Sequence, residues 1–531
     1  MARKKVIITN FARGITSDSR DPDTRLAQMI KGFDAHTYEQ KLIPYKSSES
    51  GDSAGSTSKK ENFCMAESAA NTWKLYALGV VSGQVYAEIL YKNLTTSASN
   101  DMSDATWTNT ANNQSGSGAI NRNLFVYYKK STNSGGNTGL VFFARNGSHI
   151  AAYDPTGTDA IADTHYAVTY TDIGQGIVHS KDDRLYVPFY NSANGTGGVL
   201  MKDGTSAFVT GLTTPKHLKP VAVCEYGNYL AIACQSASRV GNSVVFLWDR
   251  NTTVVDVSES IDWGEGNLQI LEQIEGILVG ISFTGVQQGN LTYLLGRFIF
   301  RYYAGGAPVV FRELLSEATA DAVNDDLPFI RQKINQSLYF LLTATLNGTK
   351  QQGVWRCGRA SPGLPLSVTL VSPPNNDTAL AASSSSLRGF FLIGDYIFIA
   401  YSDGGTYAVS KTNDSSTAYS MTSIYESLVF TGGDSATTKK LVGVSVMHEA
   451  LPASGSVVIK YKKDSDTSYG TTIMTSDTDN DISKSAVRDS VGAVLPEFKE
   501  ISFRLEATGA KCVITGLKFV YEELDKEVYS N

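Results

Sequence analysis

The chain has 531 residues, 42% of them hydrophobic and 10% aromatic, and a net charge of −6 from 52 acidic and 46 basic side chains. That apolar content excludes a wholly disordered chain, and the slight acidic excess excludes the broad basic footprint of a dedicated nucleic-acid binder. Charged residues are only 18%, below the ~25% usual for soluble proteins; Ser, Thr, Asn and Gly take their place, a composition that suits strands and polar loops better than long helices.

Residues 1–60 read as an arm. Val6–Thr9 is a short strand. Asp21 is an N-cap candidate, Pro22 a first helical residue and Gly32 a C′ residue, so the spacing predicts a short helix between them. Leu26, Met29 and Ile30, at i, i+3 and i+4, make one apolar stripe, with Phe33 just beyond. One helix and one strand cannot bury a core alone. The arm is therefore expected to dock on another copy or another protein through Leu26, Met29, Ile30 and Phe33. The Ser/Gly-rich Lys46–Lys60 run reads as a mobile tether.

A repeat follows. Its unit is a tight turn and then a run of large apolar residues, such as Asn123–Tyr128, Asn228–Ala233, Gly276–Ile281, Ser337–Leu342 and Asp395–Ala400. The turns fall near residues 72, 121, 182, 227, 275, 335 and 394. Most are preceded by another apolar strand and followed, after a variable loop, by a third. Several strands recurring seven times at this spacing predict a β-propeller of about seven blades. Blade strands are covered on both faces, which explains continuous apolar runs where an exposed sheet would alternate. Beyond residue 418 the strands do alternate, as in Lys440–Val446, Ser456–Tyr461 and Glu500–Leu505. That pattern predicts a β-sandwich with one buried and one wet face. The expected organisation is an arm over 1–60, a propeller over 61–418 and a sandwich over 419–531, all-β apart from the one helix.

No catalytic constellation stands out. The six histidines form no metal-binding spacing, and Gly174-Gln175-Gly176 lacks the strand–helix context of a dinucleotide loop. Carboxylate pairs such as Asp262/Glu265 are too common to mark a glycosidase. Asp477–Asp481 opens like a calcium loop, but Ile482 and Arg488 stand where Gly and Glu are needed. Ser402–Tyr407 reads as a plain β-turn, and Arg297 and Arg301 as outward residues of a blade strand. The five cysteines are scattered, and a turn at Gly227–Asn228 would pair Cys224 with Ala231 rather than Cys234, so no disulfide is expected. No apolar stretch is long enough to span a membrane and the N-terminus lacks a signal-peptide core, which predicts folding in the cytoplasm. Neither a cofactor nor a metal is expected, and no enzyme activity.

The opening Ile7-Ile8-Thr9-Asn10-Phe11-Ala12-Arg13-Gly14-Ile15-Thr16-Ser17 and the closing Leu451–Asp464 region resemble structural proteins of tailed bacteriophages. In those, an "F-x-x-G-I" phrase precedes a helix and a propeller, and the chain ends in a β-sandwich. The resemblance implies a virion component assembled in the host cytoplasm: an oligomeric ring, nozzle, tip or adaptor subunit of the tail. Its partners would be other virion tail proteins, further copies of itself and a host surface glycan, with no catalytic residues. The rival reading is a carbohydrate-binding or carbohydrate-active propeller, which two acids at the propeller centre would favour. A third, a bacterial scaffold or adhesin, is opposed by the missing export signal.

Overall fold

The computed structural model describes residues 3–524 except 24, 53–57, 82–86, 96–100, 111–119, 132–138, 146, 157–160, 237–240, 255–258, 289–290, 317–329, 361–362, 378–385, 404–405, 416–418 and 420. The described residues are strands and turns with a short 3-10 turn at Pro374–Asp377. None of them forms a helix long and apolar enough to cross a membrane. The chain divides into two compact units, one of Glu49–Thr345 with Thr378–Thr412, the other of Met1–Ser48, Leu346–Asp377 and Asn413–Asn531.

The first unit is a β-propeller. Antiparallel sheets succeed one another as blade 1 (58–109), blade 2 (120–167), blade 3 (172–214), blade 4 (218–265) and blade 5 (267–316). Blade 6 contributes the hairpin Arg331–Ile334 and Ser337–Leu346, and blade 7 spans 386–412 with Ser48–Ser50 as its outer strand. Each blade packs on the next. Tyr76 and Leu78 of blade 1 share a core with Phe143 and Tyr153 of blade 2, and blades 2 and 3, 3 and 4, and 4 and 5 are joined likewise. Phe300 of blade 5 lies 6.0 Å from Phe340 of blade 6. Gln332 of blade 6 exchanges two 2.8 Å hydrogen bonds with the backbone of Leu392 in blade 7. Phe398, Ala400 and Val409 of blade 7 then pack on Phe63, Leu75 and Trp107 of blade 1, closing the ring.

Six of the seven expected turns join the first and second strands of a blade. In blade 2 the run Asn123–Tyr128 belongs to the first strand, Ile120–Tyr128, so the turn expected near 121 falls at the start of that strand instead. Cys224 does pair with Ala231, and all five cysteines are buried and free. The expected tether is strand near both of its ends. Ser48–Ser50 completes blade 7 and Ser58–Ala69 begins blade 1, while 53–57 lie outside the described residues.

The second unit is a sandwich of two sheets. One orders Arg3–Ile8, Ile514–Glu523, Lys439–His448 and Ser483–Ala486. The other includes Thr349–Gly358, Ser367–Ser372, Ala27–Lys31, Ser423–Ser427, Ile501–Thr508, Ser456–Lys463 and Thr471–Ser476. Phe503 of one sheet meets Phe519 of the other with ring centres 4.8 Å apart.

Here the arm departs from expectation. Ala27–Lys31 is a strand, not a helix, antiparallel to Ser423–Ser427 and alongside Leu370. All five of its residues are buried, Gln28 and Lys31 included, which an i, i+3, i+4 stripe does not provide for. Asp21 and Asp23 accept hydrogen bonds from the backbone two residues on and form turns instead of a helix cap. Leu26, Met29, Ile30 and Phe33 are at most 2% exposed within the chain's own core. They are consequently not a free docking stripe. The arm joins 346–377 and the C-terminal residues because its hydrogen-bond partners lie there, which also moves the boundaries drawn from sequence.

Candidate functional site

The first strands of the blades line the propeller axis, and they carry charge. Arg331, on blade 6, bonds through Nε to Glu272 of blade 5 at 2.9 Å and donates to the Val223 carbonyl of blade 4. Its backbone N–H donates to Gln175 Oε1 of blade 3 at 3.1 Å, and Gln175 Nε2 returns a bond to the Arg331 carbonyl. One side chain touching three other blades must lie near the centre of the ring. On the remaining blades, Glu61 Oε2 sits 3.9 Å from Arg122 Nη1 and 3.7 Å from Arg388 Nη1. Asn62 adds a bond to the Arg122 carbonyl at 2.6 Å. Two acids therefore do stand at the axis, Glu61 and Glu272, but each is engaged by arginine, and the axis is bridged by side chains.

Sequence reasoning missed this network. Most of its members stand among other polar or small residues, where nothing local tells them from solvated positions. The available signal was that Glu61, Arg122, Gln175, Arg331 and Arg388 each precede or open the apolar stretch of a first strand.

The face formed by the first-to-second-strand turns is built differently. Several of these turns hold residues at positive φ, including Asn71, Asp183, Glu275 and Asn335, which lets strands reverse over two to four residues. Polar links tie neighbouring blades there. Lys129 Nζ lies 2.5 Å from Glu67 Oε2 and holds that carboxyl below its ordinary range. Lys130 and Arg184 both engage Asp203, whose carboxyl they likewise hold down. Ser180 binds Glu225 at 2.7 Å, Lys181 reaches Asn228 Oδ1 at 2.6 Å, and the Glu275 N–H donates to Gln336 Oε1 at 3.0 Å. Arg250 donates to buried His179, and burial keeps that imidazole below its usual pKa.

Two aromatic pairs interrupt this polar rim. Trp73, 41% exposed, meets Tyr127 edge-on at 5.7 Å across the junction of blades 1 and 2. Gly139 lies against the Tyr127 ring where a Cβ would overlap it, so glycine is what lets the ring lie there. Burial and the Glu67 carboxylate push the Tyr127 hydroxyl well above its ordinary pKa, so it stays protonated. Tyr226 and Tyr303, both half-buried, form the second pair at 6.1 Å across blades 4 and 5.

The remaining candidates have ordinary places. Glu265 contacts Arg297 at 3.4 Å while Asp262 caps the Gly264 N–H. Arg297 is paired with Glu313, but Arg301 is buried and donates to the Glu265 carbonyl at 2.9 Å, so it is not an outward residue. Asp477–Asp481 is an exposed turn closed by the Asp481 N–H on the Thr478 carbonyl. Asp403 pairs with Thr406, and the two residues between them lie outside the described residues. Among the described residues, no three His, Cys, Asp or Glu side chains are grouped to hold a metal. A cleft of about 160 Å³ in the second unit, beside Ile7, Asn10, Arg25 and Phe430, is smaller than the ~300 Å³ at which ligand pockets begin.

The architecture defines the class: a seven-bladed β-propeller carried with a β-sandwich. No protein-family model matches the chain, and no curated protein matches it in sequence. Among solved structures it is similar to the SapL1 lectin in complex with α-methyl fucoside, at 13% identity and TM-score 0.33, over 59% of this chain and 97% of that one. It is also similar to an oligogalacturonate lyase, at 10% identity and TM-score 0.39, over 72% and 98%. A fructofuranosidase from Schwanniomyces occidentalis matches at 10% identity and TM-score 0.29, over 94% and 100%. Likenesses this distant say nothing of a ligand or a reaction.

Proposed function

We propose that the chain is a carbohydrate-binding propeller protein that works without catalysis. One observation carries this: an exposed indole, Trp73, braced edge-on by Tyr127 and bordered by the Glu67–Lys129 pair. A flat apolar ring beside fixed donors and acceptors matches a pyranose, which has an apolar C–H face and a rim of hydroxyls. The two axial carboxylates do not favour hydrolysis, because both lie against arginines and are largely buried. Calorimetric titration against a panel of neutral polysaccharides tests the reading. Trp73→Ala should weaken binding at least tenfold, about 1.4 kcal/mol. An unchanged affinity would refute it, and release of reducing ends that stops in Glu61→Gln or Glu272→Gln would refute the absence of catalysis.

A second reading, structural component of a phage tail, is favoured by one surface feature besides the resemblance of the termini. Ile482, Val487, Val491 and Val494 are 63–84% exposed along one stretch of the sandwich unit, where apolar exposure commonly marks a protein contact. Glycan binding would then serve host attachment, with other tail proteins and further copies as partners and the virion as location. Light scattering across a concentration series checks it: a ring-sized oligomer that dissociates in Val491→Asp supports it, and a monomer throughout counts against it.

A further inference from the structure

We infer that the propeller face holds two sugar-binding places and so takes an extended, repeating glycan rather than a single short sugar; this rests on the proposed carbohydrate reading. The first place is Trp73/Tyr127, at the junction of blades 1 and 2. The second is Tyr226/Tyr303, at the junction of blades 4 and 5.

Both pairs lie on one face. Tyr226 ends the first strand of blade 4, and Tyr303 ends the third strand of blade 5, which runs parallel to the first. Trp73 is the second residue of the second strand of blade 1, and Tyr127 the last but one of the first strand of blade 2. First strands end, second strands begin and third strands end at the same side of an antiparallel blade.

The second pair repeats the arrangement of the first, an aromatic angle beside polar groups. Tyr226 and Tyr303 pack beneath on the core shared by blades 4 and 5, so their rings are anchored. Exposed Gly227 and Asn228 follow Tyr226 directly, with the Lys181 ammonium on the Gly227 carbonyl at 3.0 Å and on Asn228 at 2.6 Å. Exposed Ala304, Gly305 and Gly306 follow Tyr303, which leaves its approach free of large side chains. A tyrosine pair presents less apolar area than a Trp/Tyr pair, so the second place is the weaker one.

The junctions stand three blades apart in a ring of seven. Packed sheets are spaced ~10 Å apart, which puts the pairs on the order of 30 Å apart along the ring. A disaccharide cannot reach both; a polymer can, and the second contact then acts at a high effective concentration.

The experiment measures binding of dextran, a β-glucan, a mannan and a galactan, each beside the disaccharide of its own repeat. It uses the intact chain, Trp73→Ala, Tyr226→Ala and the milder Tyr303→Leu, with circular dichroism confirming the fold. The expected result is a polymer bound at least tenfold more tightly than its disaccharide. Trp73→Ala should weaken both ligands, while Tyr226→Ala and Tyr303→Leu weaken the polymer and spare the disaccharide. If Trp73→Ala weakens binding but neither tyrosine variant affects the polymer, the second place is overturned and the first stands. If no probe binds, or Trp73→Ala changes nothing, the carbohydrate reading and this inference fall together.

Discussion

His36 shows how far a single residue's role depends on its surroundings. Nothing in its sequence neighbourhood marks it. In the fold it is 1% exposed, with Nε2 2.8 Å from Thr369 Oγ1 and Nδ1 3.3 Å from Ser367 Oγ. Burial, helped by the Arg356 charge, holds its pKa at about 3. The unfolded chain binds a proton at this residue near pH 6.5 and the folded chain does not, so its contribution is intact above pH 6.5 and falls as pH drops toward 3. The loss runs at ~1.4 kcal/mol per pH unit, or roughly 2 kcal/mol between pH 7 and pH 5. Urea unfolding at the two pH values checks this: His36→Gln should lose correspondingly less stability over the interval, and an identical loss in both proteins would refute it. The cysteines lie at the same scale. Burial raises all five thiols, Cys357 to about 12. Ellman titration should find none reactive in the native protein and five after denaturation; fewer than five would reveal a disulfide.

At the scale of the element, the segment after Ser48 is held by charges drawn from both sides of the ring closure. Lys411 of blade 7 lies 2.5 Å from Glu49. Lys60 of blade 1 lies 2.7 Å from Asp52, with both side chains almost wholly buried. Trp107 Nε1 donates to the Gly51 carbonyl at 2.8 Å. Removing one partner of a buried pair leaves the other charge stranded, at a cost of ~3–5 kcal/mol, whereas removing both avoids that penalty. Lys60→Met should therefore destabilise strongly, and Lys60→Met with Asp52→Leu should recover more than half of the loss. Chemical denaturation measures both, and an additive double variant would contradict the burial argument. The Ser/Gly composition that suggested a tether here was a poor guide, because a three-residue strand such as Ser48–Ser50 is specified by its neighbour and hardly by its own side chains.

For the whole molecule, the arm belongs to the monomer's sandwich unit. Arg3–Ile8 pairs along its length with Leu517–Glu522, and Ala27–Lys31 lies inside the other sheet. Limited proteolysis of the monomer should leave residues 3–34 uncut for as long as the sandwich unit persists. Rapid loss of the arm from an otherwise intact monomer would restore the idea of an arm that orders only in an assembly.

Much of the architecture was legible in the chain. Apolar runs of blade strands, turns recurring at near-regular spacing and the alternation after residue 418 are local patterns, each set by burial on two faces or one. They determined the all-β class, the propeller and the sandwich, and the Gly227 turn even set the Cys224–Ala231 register. What only the tertiary structure decided is which distant residues meet. The stripe Leu26, Met29, Ile30 and Phe33 fits a helix until Ser423–Ser427 provides a strand partner some 400 residues away. The axial pairs Glu61–Arg388 and Glu272–Arg331 and the aromatic pairs Trp73/Tyr127 and Tyr226/Tyr303 come from different blades. Spacing along the chain records local periodicity; pairing between blades depends on closing a ring, and only the closed ring brings those side chains together.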